Sequence, residues 1–248
     1  MLELWLYVLI SIFIVSLISL IGIFTLSIKI EKLKKIMIYL VSFSAGALLG
    51  DVFIHLFPEI VKDFGFSLKI SIFILFGILF FFIIEKFVHW QHCHMPITKH
   101  HQHPFALMNL VGDSVHNFID GLIIGASYIA SIPIGIATTI AVILHEIPQE
   151  IGDFGVLIHG GFTKKRALFI NFLTALTAIL GGLVSLLLIN VNGLNSFLLP
   201  FAAGSFIYIA GSDLIPELHK ETEIKKSLIQ LLTFILGIII MFSLLLVG

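Results

Sequence analysis

The sequence predicts an all-α integral membrane protein of eight transmembrane helices in a 3+2+3 arrangement with an inverted repeat. Of its 248 residues, 58% are hydrophobic and 12% are charged, about half the ~25% charge of a typical soluble domain. Apolar runs of about 20 residues, the length that crosses a bilayer, recur along the whole chain. Two short motifs also repeat near the two ends. An unusually apolar soluble domain would not account for runs of this length and number.

Eight spans are each long enough for one crossing with some tilt. We expect the first span to be retained, because it lacks the basic start of a signal peptide and is long for one. The fourth and fifth spans are the most polar, so hydropathy alone would drop one of them. The spans form a single domain over residues 1–248 and cover residues 4–28, 36–57, 68–88, 105–130, 133–158, 167–189, 195–215 and 227–247.

Lysine and arginine are concentrated in alternate loops, numbered one to seven along the chain. The odd-numbered loops and the span ends beside them hold 12 of the 14 basic residues, and the even-numbered loops and the span ends beside them hold only Lys62 and Lys69. Because cytoplasmic loops carry an excess of basic residues, the odd loops are predicted to be cytoplasmic and both termini to be outside. The net charge of −1 gives no electrostatic basis for binding nucleic acid. The single cysteine, Cys93, excludes an internal disulfide.

The internal repeat lies in spans two and seven. Eleven residues separate Ala45-Gly46 from Pro58-Glu59, and eleven separate Ala203-Gly204 from Pro216-Glu217. The two spans cross in opposite directions under the predicted topology. This pattern is typical of inverted repeats, which are common in membrane transport folds.

Spans four and five each carry a polar stripe along one helix face. In "GDSVHNFIDG" the stripe residues fall at offsets 0, 3, 4 and 7, counted from Asp113. In "HEIPQEIGD" they fall at offsets 0, 1, 4, 5 and 8, counted from His145. Such spacings keep side chains on one side of a helix. The first stripe holds Asp113, His116, Asn117 and Asp120, and the second holds His145, Glu146, Gln149, Glu150 and Asp153.

The energetic cost of burying these acids favours a bound cation. A carboxylate at the bilayer centre costs about 2.5–3.5 kcal/mol, and the stripes contain five acids. Interhelical hydrogen bonds return only about 0.6–2 kcal/mol per contact. A buried polar network and a proton relay are the alternatives without metal. Imidazole with carboxylate suits Zn²⁺, Fe²⁺ or Mn²⁺ better than Na⁺ or K⁺, and the ligands are numerous enough for two adjacent metals.

Pro148 interrupts the second stripe. A proline in a helix has no N–H to donate, which frees the carbonyl of Leu144. The expected kink either opens the helix where it lines a cavity or is an ordinary bend without a ligand role.

Further polar groups define a predicted pathway. Asp51 and His55, one turn apart in the outer half of span two, suit an entrance, and Asp213 in the inner half of span seven suits an exit. Packing or solvation at the interface is the alternative for each. Asp113, Asp153 and Asn171 complete the predicted pathway.

The third loop, about residues 89–103, is rich in histidine. It is predicted to capture metal ions with low specificity, and the alternative is a solvated loop without a role. Its six histidines, of eleven in the chain, are His89, His92, His94, His100, His101 and His103.

The polar spans resemble those of the ZIP (Zrt-/Irt-like) family of metal transporters. "HNFIDG" at 116–121 matches the fourth-helix signature, and "HEIPQEIGDF" at 145–154 resembles the signature HExPHExGD of the LIV-1 branch. "GDVFIHLFPE" in span two, "EKFVHW" closing span three and the histidine-rich loop also resemble that branch. The resemblance covers essentially all eight spans.

The resemblance implies a 3+2+3 fold, often dimeric, that imports Zn²⁺ or a related ion such as Fe²⁺, Mn²⁺ or Cd²⁺ into the cytoplasm. It further implies a transporter rather than an enzyme, in the plasma membrane, with a binuclear centre between helices four and five. By position, one metal would be held by His116, Asp120, His145 and Gln149, and Asn117, Glu146 and Glu150 would lean toward the second.

One position departs from the family's pattern, which has histidine where this chain has Gln149. The amide oxygen is a harder and weaker donor than imidazole. We therefore predict weaker Zn²⁺ binding there and less discrimination against Mn²⁺ or Fe²⁺.

Three other functions compete with metal import. The same ligands would serve an exporter or channel, because ligands do not encode direction. A metal sensor would bind without transporting. A membrane-embedded zinc hydrolase is disfavoured, since its HExxH motif needs histidine at position 149.

Overall fold

The computed structural model describes residues 2–25, 30–89, 104–159, 161–191 and 193–246, and these residues contain helices and no strand. Eight long helical segments follow in chain order, and the short helix Gly22–Thr25 follows the first. The segments are α1 (Leu2–Ile21), α2 (Ile30–Asp51, Val52–Leu56 and Phe57–Phe64), α3 (Leu68–His89), α4 (Pro104–Ala130), α5 (Ile132–His159), α6 (Lys164–Ala175 and Thr177–Leu187), α7 (Leu194–Tyr208, Ile209–Leu214 and Ile215–Leu218) and α8 (Ile224–Leu244).

The predicted membrane fold is confirmed. Seven segments, all except α4, are long and apolar enough by length and composition to cross a membrane. The exception is 27 residues long, which is ample for a crossing, but it carries the first polar stripe. Hydropathy therefore misses one of the two polar spans, as the sequence predicted.

The helices form two groups of four. In the first, which we call the site bundle, α4 packs along α6, and α1 and α5 complete the group. In the second, the flanking bundle, α2 packs along α8 and α3 along α7. The two bundles meet mainly where α2 contacts α5 and where α4 contacts α7 and α3. Large apolar side chains such as Leu75 of α3 and Leu228 of α8 are exposed on the outer faces, as expected of surfaces that contact lipid.

The repeated motifs of α2 and α7 occupy equivalent places. A Cβ at Gly46 would strike the main-chain carbonyl of Phe234 in α8, and a Cβ at Gly204 would strike that of Ile74 in α3. Each Pro-Glu pair begins two residues after the end of a π-helical turn. The turns are Val52–Leu56 in α2 and Ile209–Leu214 in α7. Proline crowds the carbonyl four residues before it, and a π turn relieves this by adding a residue to the helix. The match extends from sequence to packing, which supports the inverted repeat.

Candidate metal centre

The two polar stripes face each other at the centre of the site bundle. One ligand atom from each of His116 and Asp120 in α4 and His145 and Glu146 in α5 lies within 4.8 Å of all the others. Three of the four residues are buried, and the side chain of His116 is 12% exposed. The interhelical cluster expected from the stripes is therefore present.

The spacing of these four atoms suits a tetrahedral metal. The Nε2 atom of His116 is 3.2 Å from Nε2 of His145, 3.7 Å from Oδ2 of Asp120 and 3.6 Å from Oε1 of Glu146. Nε2 of His145 lies 3.1 Å from the same aspartate oxygen and 3.5 Å from the same glutamate oxygen. Tetrahedral zinc with ligand bonds of about 2.0–2.2 Å places its ligands about 3.3–3.6 Å apart. The cluster needs only small adjustments to reach that geometry.

The charge of the cluster also suits a divalent cation. Two neutral imidazoles and two carboxylates carry a net charge of −2. Among the described residues, the ion-pair contacts of Asp120 and Glu146 are to histidine and none is to lysine or arginine. Oδ2 of Asp120 and Oε1 of Glu146 are buried, and no described group makes a well-aligned hydrogen bond to them. A bound Zn²⁺ would neutralise this charge and use these oxygens.

The surrounding side chains orient both histidines. Nδ1 of His145 lies 3.2 Å from the carbonyl of Ala141, so the tautomer that donates there leaves Nε2 free to bind metal. Phe81 of α3 stands edge-on to the His116 ring at 5.4 Å, and Phe206 of α7 packs against the His145 ring at 5.8 Å. Both phenylalanines belong to the flanking bundle. The sequence carries no signal for these two residues, because nothing distinguishes them among the 24 phenylalanines of the chain.

A second set of polar side chains, here called the oxygen set, adjoins the cluster. Asn117 donates to Oδ1 of Asp113 at 2.8 Å, and Asn171 donates to the carboxylate of Glu150. Asn109, which lies outside both predicted stripes, donates to Oδ1 of Asp153 at 2.8 Å. The remaining oxygens are buried without a hydrogen-bond partner among the described residues; they are Asp113 Oδ2, Asn117 Oδ1, Glu150 Oε1, Asp153 Oδ2 and Asn171 Oδ1.

A cavity of about 630 Å³ leads from these residues toward the odd-numbered loops. It reaches Glu217 and Lys220 at the end of α7, whose side chains are 55% and 69% exposed. Gln149 lines it together with Asp113. Other lining residues are His116, Asp153, Asp213, Tyr208 and Glu85, the last two in hydrogen-bond contact.

On the opposite side of the cluster, Asp51 and His55 of α2 are buried. Asp51 is fully buried and accepts a hydrogen bond from Thr138 at 3.1 Å. His55 Nε2 lies 2.9 Å from the carbonyl of Met241. His55 also lines a separate pocket of about 250 Å³ with Glu59 and Ser131, next to the even-numbered loops. Neither Asp51 nor His55 belongs to the four-residue cluster.

The histidine-rich loop lies outside the described residues. Its prediction rests on His92, His94, His100, His101 and His103, none of which is described, and on His89, which ends α3 and whose side chain is not described.

Comparison with known proteins identifies similar chains. The sequence matches the family model described as ZIP Zinc transporter over residues 2–106 and 94–245. It is 32% identical to zinc transporter zipt-7.1 of Caenorhabditis briggsae, over 82% of this chain and 69% of the relative. It is 44% identical to zinc transporter zipt-7.2 of Caenorhabditis elegans, over 55% of this chain and 31% of the relative. It is 34% identical to zinc transporter ZIP13 of Pongo abelii, over 82% of this chain and 65% of the relative. Two of these alignments cover less than two thirds of the relative.

Proposed function

Because the chain belongs to the ZIP zinc transporter family, we propose that it carries divalent transition-metal ions, Zn²⁺ above all, across a membrane. The observation that carries this proposal is the buried cluster of two histidines and two carboxylates at tetrahedral spacing. The cavity gives access to this cluster from one side, which favours a transport site rather than a closed structural zinc site. The matched relatives are named as transporters, which are not enzymes.

The proposed centre is binuclear. His116, Asp120, His145 and Glu146 suit the first ion, with Gln149 at the cavity edge as a further ligand. Asn117 and Glu150, with the adjoining unpaired oxygens, suit a second ion. Oxygen ligands are harder than imidazole and bind Zn²⁺ less selectively. The second position therefore suits an ion that is leaving the first one.

The proposed direction is import by alternating access. Metal would enter at the pocket beside His55, pass Asp51, bind the cluster and leave through the oxygen set and the large cavity past Asp213. If the odd loops are cytoplasmic, the arrangement described here is the one that releases metal inward. The histidine-rich loop at 89–103 would then receive ions at the exit.

The proposed setting is the plasma membrane, with both termini outside. The proposed assembly is a homodimer. Orientation is testable with a membrane-impermeant thiol reagent on intact cells. We expect it to label Ser131→Cys in a Cys93→Ser background and to leave the native Cys93 unlabelled. The reverse pattern would invert the topology and with it the direction of transport.

The main test is ⁶⁵Zn²⁺ uptake into proteoliposomes under an inward zinc gradient and under the reversed gradient. We expect saturable flux in the wild type and none above empty vesicles in His116→Ala or Glu146→Ala, because each removes a ligand. Net flux only under the reversed gradient would support an exporter, and tight binding without flux would support a sensor. Undiminished uptake by both variants would refute the site.

Gln149 provides a test of selectivity. We expect Gln149→His to bind Zn²⁺ more tightly, by about 5- to 30-fold if imidazole adds about 1–2 kcal/mol over the amide. Competition by Mn²⁺ and Fe²⁺ for ⁶⁵Zn²⁺ uptake should weaken in parallel. Gln149→Asn, which keeps the amide, is the matched control. Unchanged affinity and metal preference in the histidine variant would show that position 149 is not a ligand.

A further inference from the structure

Leu144 carries a carbonyl whose regular helical donor is missing. In a regular helix this oxygen would accept from the N–H of residue 148, but that residue is Pro148, which has none. Leu144 directly precedes His145 and Glu146, two members of the metal cluster. Any displacement of this turn would therefore move the ligands.

Ser44 of α2 supplies a donor to this carbonyl. Its side chain is 1% exposed, and its Oγ lies 2.5 Å from the carbonyl oxygen of Leu144. The same Oγ is also 2.8 Å from the carbonyl of Leu40, but one hydroxyl proton serves one acceptor at a time. The Leu40 oxygen lies within α2, where the main-chain N–H of Ser44 is its regular helical donor. The Leu144 oxygen therefore gains more from the hydroxyl.

The contact joins the two bundles beside the metal cluster. Ser44 belongs to the flanking bundle and Leu144 to the site bundle. At membrane depth water does not readily replace a missing donor, and an unpaired buried carbonyl is costly. The hydroxyl thus stabilises both the proline-containing turn of α5 and its position against α2.

We infer that Ser44 is a positioning residue of the metal site, acting through the Leu144 carbonyl. Its hydroxyl takes the place of the N–H missing at Pro148 and holds His145 and Glu146 toward His116 and Asp120. This role rests on the proposed function, because it concerns the affinity of that site for its ion.

A double-mutant cycle on the full chain tests this role. The variants are Ser44→Ala, Pro148→Ala and both together, and the readout is the zinc dissociation constant of the purified protein by equilibrium titration. Loss of the Ser44 hydroxyl, which donates to this buried carbonyl, is expected to weaken zinc binding about 5- to 30-fold in Ser44→Ala. In the Pro148→Ala background the main-chain N–H at position 148 is restored. In that background, replacing the serine should change the dissociation constant less than about twofold. This is the deviation from additivity usually found for mutations at independent sites.

Two controls separate this role from general packing. Ser44→Thr keeps the hydroxyl and should restore most of the affinity. Ser42→Ala is the matched control, because Ser42 is also buried in α2 and donates to the main-chain carbonyl of Gln230 in α8, away from any proline. It should leave zinc affinity unchanged.

The same loss from Ser44→Ala in both backgrounds, or no loss in either, would overturn the inference. If Ser44→Ala does not fold, Ser44→Cys replaces it in the cycle, since a thiol is a weaker donor of similar size. The titration does not depend on flux. Wild-type protein that binds zinc with the expected coupling but transports none would therefore refute the proposed function and leave this inference standing.

Discussion

Asp120→Asn is expected to abolish zinc uptake and to weaken zinc binding at least about 100-fold, since even groups that only support a ligand cost about 10- to 100-fold. The substitution keeps the shape of the side chain but removes one of the two negative charges of the cluster. Oδ2 of Asp120 lies 3.1 Å from Nε2 of His145 and 3.7 Å from Nε2 of His116. An amide presents either a neutral oxygen or an N–H at this point, and neither replaces the carboxylate.

The measurement pairs zinc titration of purified protein with ⁶⁵Zn²⁺ uptake. Asp63→Asn is the matched control, because it makes the same chemical change at an exposed position of α2 and should alter neither quantity. Retention of wild-type affinity in Asp120→Asn would place the metal elsewhere, with the oxygen set as the next position to test.

The four-residue cluster was largely predictable from sequence, because the polar side chains recur at helical spacing and are costly to bury in an apolar span. Histidines and acids at helical spacing inside an apolar span have few inexpensive explanations, so the two stripes indicated both a face and a chemistry. The stripes did not show which oxygens meet which nitrogens. Glu146, assigned by resemblance toward the second ion, has its Oε1 3.6 Å from Nε2 of His116. That distance depends on the rotation of α5 against α4, which no local pattern encodes.

The groups that support the site were not predictable in the same way. Pro148 indicated that Leu144 would lose its donor, but Ser44 lies 100 residues away in the chain. Phe81 and Phe206 reach the histidines only because α3 and α7 pack beside the site bundle. Each of these contacts is a product of tertiary packing, whereas the spans and stripes follow from local composition and period.

The helix boundaries show a related limit. The second span was predicted over residues 36–57, whereas α2 runs from Ile30 to Phe64. Hydropathy marks the apolar part of a helix, and the polar ends of α2 continue beyond it. The π-helical turns before Pro58 and Pro216 were also outside the prediction, although the repeated Pro-Glu pairs marked both places.

Gly46→Ala and Gly204→Ala are each expected to destabilise the protein by about 1–3 kcal/mol, the usual cost of overpacking a close contact. The added methyl group would strike the main-chain carbonyl of Phe234 in one case and of Ile74 in the other. A backbone carbonyl cannot swing aside as a flexible side chain can, so α2 and α8, or α7 and α3, must move apart. This cost opposes the gain of about 1 kcal/mol that alanine normally brings to a helix over glycine.

Gly155→Ala is the matched control, because nothing lies within 4 Å of a Cβ placed there in α5. Thermal unfolding in one detergent, followed by loss of monodisperse protein, compares the three variants. We expect Gly46→Ala and Gly204→Ala to unfold at lower temperature than the wild type, and Gly155→Ala at the same or a higher temperature. Equal midpoints for all three would contradict the close helix contacts.

Because the two glycines occupy equivalent places in the inverted repeat, their effects should also be similar in size. A large difference would mean that the two halves of the repeat have the same fold but depend to different degrees on this close helix contact.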